Sequence, residues 1–214
     1  MIYQVSDILR DVRIAIDQNM SSEPLAEQGD VDTLSLEEII ESKIADAARI
    51  VEGGAPQYLL DSGKAFGDNI GWDSAVGYGS GHILLPSDFL RLITFQMSDW
   101  SYAITTTITE DDPLYSRQRS RFPGIRGCPE KPVVAVVQQP VGLVLEFFSC
   151  TSGKNAYIKR ARYLPIPKIQ DGTIELCEKL RQPIIYYTAY LTALSVGNSE
   201  LATNMLNTSN ELAK

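Results

Sequence analysis

The stretch from His82 to Trp100, HILLPSDFLRLITFQMSDW, constrains this chain most, because the sequence obeys different periodicities on its two sides. Before it, apolar residues recur at helical spacing; after it, as far as Tyr163, extended patterns dominate. Within it, Ile83, Leu84 and Leu85 form a short apolar run that Pro86, Ser87 and Asp88 stop. Proline lacks an amide donor, and serine and aspartate favour turns. Ile93, Phe95 and Met97 then alternate with Thr94, Gln96 and Ser98, the period-two signature of a strand with one buried face. The stretch therefore predicts a strand, a turn at 86–88 and a second strand, together a core hairpin.

Upstream, Val5, Ile8, Leu9, Val12 and Ile16 predict a first helix over 3–19, with Ser6 available as a cap and Asp7 near the positive end of its dipole. Met20 to Thr33 is polar and acidic, contains Pro24 and Gly29, and predicts a loop. Ser35 and Glu38 have capping-box spacing. Leu36, Ile39, Ile40, Ile44, Ala47, Ala48 and Val51 then draw an apolar stripe ended by Gly53 and Gly54. The two alanines narrow that stripe to a waist where another helix can approach. Tyr58, Leu59 and Leu60 suggest a short helical turn, and the glycines from Gly63 to Gly81 predict irregular backbone.

Downstream, Tyr102–Thr109, Val133–Val137, Leu143–Phe148 and Tyr157–Tyr163 have strand character, giving four or five strands in one sheet. Between the first of these and the rest, Glu110 to Pro132 is a long, arginine-studded loop, and loops of that length commonly carry function. After Pro165 and Pro167, Ile174–Leu180 resumes helical character. Pro183 either kinks that helix or sits in the first turn of a new one running to Gly197, and Asn198 or Ser199 can cap a last helix to Leu212. The expected fold is α+β. An N-terminal helical part (1–60) and C-terminal helices (171–214) pack back on each other, with a β-rich insertion (61–170) between them.

Charge adds a second asymmetry. The whole chain carries a net -8, yet Tyr115–Lys168 holds ten basic and only two acidic residues. One part of the molecule is therefore suited to an anionic surface, whether DNA, another protein or the acidic face of an identical neighbour. Cys128, Cys150 and Cys177 are odd in number and widely spaced, which fits neither a disulfide framework nor a zinc knuckle and points to a reducing compartment. The apolar runs fall short of a membrane span and no basic-then-apolar leader opens the chain, so neither spanning nor secretion is expected.

Reactive chemistry has little to build on. The single histidine, His82, has no nucleophile or carboxylate at a characteristic spacing. Gly77, Gly79 and Gly81 precede a strand, with no following lysine-serine or lysine-threonine pair to make a phosphate loop. The adjacent pairs Asp111–Asp112 and Glu37–Glu38 point in different directions. No catalytic residue, cofactor or metal is expected. Nucleic-acid binding is the stronger rival, because Arg117, Arg119 and Arg121 alternate beside Tyr115 and Phe122, offering phosphate contacts and stacking.

Three segments together carry a family resemblance: SLEEIIESKIADAARIVEGGAPQYLLDSGKAF, LLPSDFLRLITFQMSDW and QPIIYYTAYLTALSVGNSELA. In order and spacing they resemble the head-to-tail adaptor (connector, or head-completion) proteins of tailed bacteriophages, in particular the ring proteins of crAss-like phages. The resemblance implies a virion protein assembled in the bacterial host cytoplasm. It would form a ring of identical subunits, a dodecamer, dock under the portal protein, meet other tail or ring proteins, and pass genomic DNA through its lumen. Leu85, Pro86, Asp88, Phe89 and Trp100 match the family motif and are expected to maintain the fold. An interface between neighbours would set Arg117, Arg119, Arg121 and Arg126 against Glu37, Glu38 and Glu41. The alternative is a cytoplasmic nucleic-acid or partner-binding module that uses the basic loop 115–131.

Overall fold

The computed structural model describes residues 1–19, 35–67, 69–73, 79–120, 122, 124–151 and 155–214. The loop expected at 20–33, and Gly77, Arg121 and Lys154, lie outside the described residues. In chain order the elements are β1 (Ile2–Gln4), α1 (Val5–Asn19), α2 (Leu36–Gly54), β2 (Lys64–Ala65), β3 (Gly71–Trp72), β4 (Gly81–Leu84) and β5 (Phe89–Met97). There follow α3 (Pro113–Gln118), β6 (Val134–Gln139), β7 (Gly142–Phe147), β8 (Ile158–Pro165), β9 (Ile169–Gln170), β10 (Thr173–Glu175), α4 (Arg181–Ser195) and α5 (Ser199–Leu212). The fold is α+β, and it divides into two compact units, Met1–Asp61 with Ile166–Lys214, and Ser62–Pro165.

In the first unit, α4 packs against α1, α2 and α5. Small residues line the buried faces of α2 and α4: Ala47, Ala48, Ala189 and Ala193 are wholly buried. Such side chains let helix axes approach closely. Thr188 and Thr192 are also buried on α4, and each satisfies its hydroxyl by donating to the carbonyl four residues earlier. Ser35 and Glu38 form the capping box expected for α2, and the Asn198 side chain caps α5 by accepting from the Leu201 amide. Pro183 lies in the first turn of α4, where no intrahelical amide is missed. The segment Ile174–Leu180, expected to be helical, instead supplies β10 and a 3-10 turn at Glu178–Leu180. β10 takes the middle of the antiparallel sheet β1-β10-β9, where Ile174 opposite Tyr3 is buried by non-local pairing.

The second unit holds two antiparallel sheets, β2-β8-β5 and β3-β4-β7-β6, and not the single sheet expected. One core joins them: Leu92, Phe95, Met97 and Ala161 come from the first sheet, Ile83, Val134, Leu145 and Phe147 from the second. Phe95 and Phe147 meet with ring centroids 5.9 Å apart. The His82–Trp100 stretch is consequently not a hairpin. β4 pairs with β7 and β5 with β8, so the turn after Pro86 carries the chain from one sheet to the other. Partner choice explains the difference: the Leu85 amide continues the β4–β7 ladder by donating to Leu143 O at 2.9 Å, and the Phe89 amide closes the turn on Pro86 O at 3.0 Å. Tyr102–Thr109, expected as a strand, makes only isolated bridges at Ile104 and Ile108. Along β7, Leu145 and Phe147 face the shared core while Val144 and Glu146 face the other way, where α3 covers them through Tyr115.

Candidate functional site

The site is built on the basic segment that follows Thr109. Its first element, α3, stands inside the segment expected to be loop throughout, and it starts where the Asp112 carboxylate accepts from the Leu114 amide at 2.8 Å and Pro113 occupies the first helical position. α3 turns Tyr115 and Gln118 inward and leaves Ser116 and Arg117 exposed.

Tyr115 donates its hydroxyl to Glu146 Oε2 at 2.9 Å and accepts from Arg119 Nη2 at 3.1 Å. The Arg119 guanidinium also lies 5.4 Å from the Tyr115 ring centre. Gln139 Nε2 occupies the other Glu146 oxygen at 3.0 Å, so both oxygens of this buried carboxylate are partnered. Burial, and then the bond to Glu146, push the Tyr115 phenol above its ordinary range. A second clamp lies one turn on, where the buried Gln118 accepts from the Gly127 amide at 2.8 Å and donates to Leu114 O at 3.0 Å. Gly127 is required there, because a Cβ would stand 2.4 Å from Ser149 Oγ and 3.1 Å from Lys131 O. The loop between Gln118 and Gly127 is thus held at both feet, yet it exposes Phe122 to 70% and Ile125 to 52%.

The residues singled out from the sequence have separate duties. Arg117 is exposed and makes no ion pair among the described residues, Arg119 belongs to the Tyr115 network, and Arg126 is half-buried and engaged. Arg121 lies outside the described residues. On α2, Glu37 pairs with Arg13 at 2.5 Å. Glu38 accepts from the Ser35 amide and hydroxyl at 2.7 and 2.8 Å, bonds that hold its carboxyl below the usual range. Glu41 is exposed with no ion pair among the described residues. Of the described residues singled out, Arg117 and Glu41 are thus the two exposed charges with no ion pair and no side-chain hydrogen bond among the described residues. Gln118, Gly127 and Glu146 were missed by sequence reasoning, which named Tyr115 and Phe122 only as stacking partners beside the arginines. The inward role of Tyr115 gave no local signal, because its partner Glu146 lies 31 residues away.

The motif residues hold the second unit together. Leu85 and Trp100 are buried, with Trp100 set edge-on to Phe95 at 5.5 Å. Phe89 stacks on Tyr163 at 5.8 Å, and Tyr163 donates its hydroxyl to Asp88 at 2.8 Å. Burial and that bond push the Tyr163 phenol up to about 12. Burial likewise raises the Cys150 and Cys177 thiols to about 12, which leaves them unreactive at neutral pH. His82 Nδ1 lies 3.3 Å from Asp73 Oδ1, and its ring covers Gly71. Among the described residues no cluster of His, Cys, Asp or Glu could hold a metal, and no helix is long and apolar enough to cross a membrane.

Divided by unit, the charge asymmetry keeps its sign and shrinks. Ser62–Pro165 contains eleven basic and nine acidic residues, net +2, and the other unit eight basic and eighteen acidic, net -10. Fold and loop together define a two-unit α+β protein with an anchored, basic, aromatic-tipped loop on one unit and an acidic helix face on the other. No protein-family model matches the chain, and no curated protein matches its sequence.

Proposed function

We propose that the protein is a structural component of a tailed-phage virion, a ring-forming head-to-tail adaptor that docks under the portal, extends the DNA channel and links capsid to tail. It does no covalent chemistry. The observation that carries this reading is the pairing of unlike exposed surfaces on one chain: the clamped α3 loop with Arg117, and the α2 face with Glu41. Rings of identical subunits need head-to-tail contacts between different, complementary patches. The sequence resemblance supplies the place in the virion, below the portal. The test is electron microscopy of particles made when the gene is interrupted in the phage that carries it. Full-sized heads without tails and emptied of DNA are expected; normal infectious particles would overturn the proposal.

A second reading, a nucleic-acid-binding module, is favoured by the exposed guanidinium of Arg117 and the exposed ring of Phe122 on the same loop. Retention of DNA that weakens steeply with salt, together with loss of retention in Arg117→Glu, would favour it over the ring.

A further inference from the structure

The sheet β2-β8-β5 carries positive charge with no carboxylate on any of its strands. Lys64, Arg91, Lys159, Arg160 and Arg162 are its basic residues, and none of its residues is acidic. Ala161 of β8 belongs to the core shared by the two sheets, so alternation puts its exposed neighbours Arg160 and Arg162 on the outer face. A register shift between Gln96 and Met97 on the partner strand leaves Lys159 exposed beside them. Across the ladder, Arg160 and Arg162 stand opposite Gln96 and Thr94, neither of them charged. The carboxylates flanking β5 have other duties: Asp88 accepts from the Tyr163 hydroxyl and Asp99 from the Thr151 amide. Lys159 and Arg160 make no ion pair among the described residues, and Arg162 donates to the carbonyls of Ser62 and Gly63 at 3.3 Å. Just before β8, Tyr157 is 66% exposed on a fixed backbone, accepting from the Ser98 amide at 2.8 Å and donating to the Ser98 hydroxyl at 3.1 Å.

We propose that the outer face of β8 binds single-stranded nucleic acid, with Lys159, Arg160 and Arg162 on its phosphates and the Tyr157 ring stacked on a base. The inference goes beyond the adaptor reading and uses neither a contact between copies nor the α3 loop. A chain of net charge -8 repels polyanions unless its positive charge is segregated on one face, and this sheet supplies such a face. Charged side chains, lysine among them, are depleted at the centres of protein–protein contacts. They dominate contacts to phosphate, where each neutralised charge releases counterions. The spacing favours a chain over a small anion: residues two apart on a strand stand about 7 Å apart with parallel side chains, so Arg160 and Arg162 track an extended backbone and do not converge on one point. An exposed ring on a fixed backbone beside guanidinium groups is a platform for unpaired bases, whose faces a duplex keeps stacked on each other.

The test is fluorescence anisotropy of the full chain titrated into a labelled single strand of about 20 nucleotides, longer than the ~4–16 that one small domain covers, and into the matching duplex, over a salt series. Wild type should hold the single strand more tightly than the duplex at low salt and release it as salt rises. Lys159→Ala and Arg160→Ala in one chain should weaken binding at least about 10-fold and flatten the log–log salt slope by about 0.7 for each charge removed. Tyr157→Ala should weaken it at least about 5-fold with the salt slope unchanged, which separates stacking from charge. All three positions are exposed, so the fold should stay intact, which circular dichroism checks. A wild-type chain that binds no single strand at low salt, or holds the duplex as tightly, would overturn the proposal. So would binding that survives both variants; its loss in Arg117→Glu would then place the strand on the α3 loop. Poly-glutamate bound as tightly as the single strand, with Tyr157→Ala changing neither, would assign the face to an acidic protein instead. None of these outcomes decides the adaptor reading, which the tailless-head experiment tests separately.

Discussion

Glu52 shows how one side chain can set the pH response of the first unit. It sits in the last turn of α2, is 2% exposed, and accepts from the Cys177 amide at 2.7 Å. Burial raises its carboxyl above the ordinary value, more than the Cys177 contacts lower it. The folded chain therefore holds this proton more tightly than the unfolded chain does. Stability from this group is full below the unfolded-state value and is lost as pH rises through the folded-state value. Glutamine imitates the protonated acid at every pH and keeps the acceptor for Cys177. Glu52→Gln should thus equal wild type in acid and melt at a higher temperature near neutrality, as thermal scans across pH would read. A wild-type melting temperature at neutrality equal to that of the variant would remove the argument. Tyr115 makes a second residue-scale prediction. Tyr115→Phe takes one partner from the buried Glu146 and the acceptor from Arg119, at a cost of about 1–3 kcal/mol. Both tryptophans, Trp72 and Trp100, lie in Ser62–Pro165, so tryptophan fluorescence during urea unfolding reports that unit selectively.

Among the elements, the helices of the first unit were the most legible, because their signals are local. Ser35 and Glu38 cap α2 three residues apart, and its stripe from Ile40 to Val51 faces inward as its period requires. The waist at Ala47 and Ala48 has an energetic consequence. Both are wholly buried, so Ala48→Leu overfills the space and should cost about 1–3 kcal/mol, seen as an earlier loss of the helical dichroism signal on heating. An unchanged midpoint would mean that the helices yield there. Strand existence was legible too, since Val134–Gln139, Gly142–Phe147 and Ile158–Pro165 fall where β-branched and apolar residues concentrate. Strand partnership was not. Nothing within HILLPSDFLRLITF says that β4 will seek Leu143–Phe147 and β5 will seek Ile158–Pro165, more than fifty residues away. The same limit hid β10, whose burial depends on Tyr3 at the far end of the chain. It also hid the loop clamp, because Tyr115 and Glu146 are 31 residues apart. The arginines were visible from their alternation; Arg119, just past the end of α3, reaches back four residues to the Tyr115 hydroxyl, and Arg117, two residues from Tyr115, points elsewhere.

At the scale of the whole molecule, an acidic unit and a mildly basic one on each chain would give the proposed contact between copies an electrostatic part. Screening sets the first test: if Arg117 of one copy meets Glu41 of the next, self-association should weaken between low and physiological salt, where the Debye length falls to about 8 Å. General salt effects can imitate this, so charge reversal is the sharper measurement. Both side chains are exposed and make no ion pair among the described residues, so Arg117→Glu and Glu41→Arg should each leave folding unchanged. Each should weaken association, because one like-charge contact then replaces an attractive one. Placed together in one chain they restore opposite charges at every repeated contact, and association should return towards wild type. Sedimentation of the four proteins closes a double-mutant cycle whose coupling is attributable to the pair. Two weakening changes that merely add would show that Arg117 and Glu41 do not meet. The acidic face and the basic loop would then serve different partners, and the loop's guanidinium and phenyl groups would be left to nucleic acid.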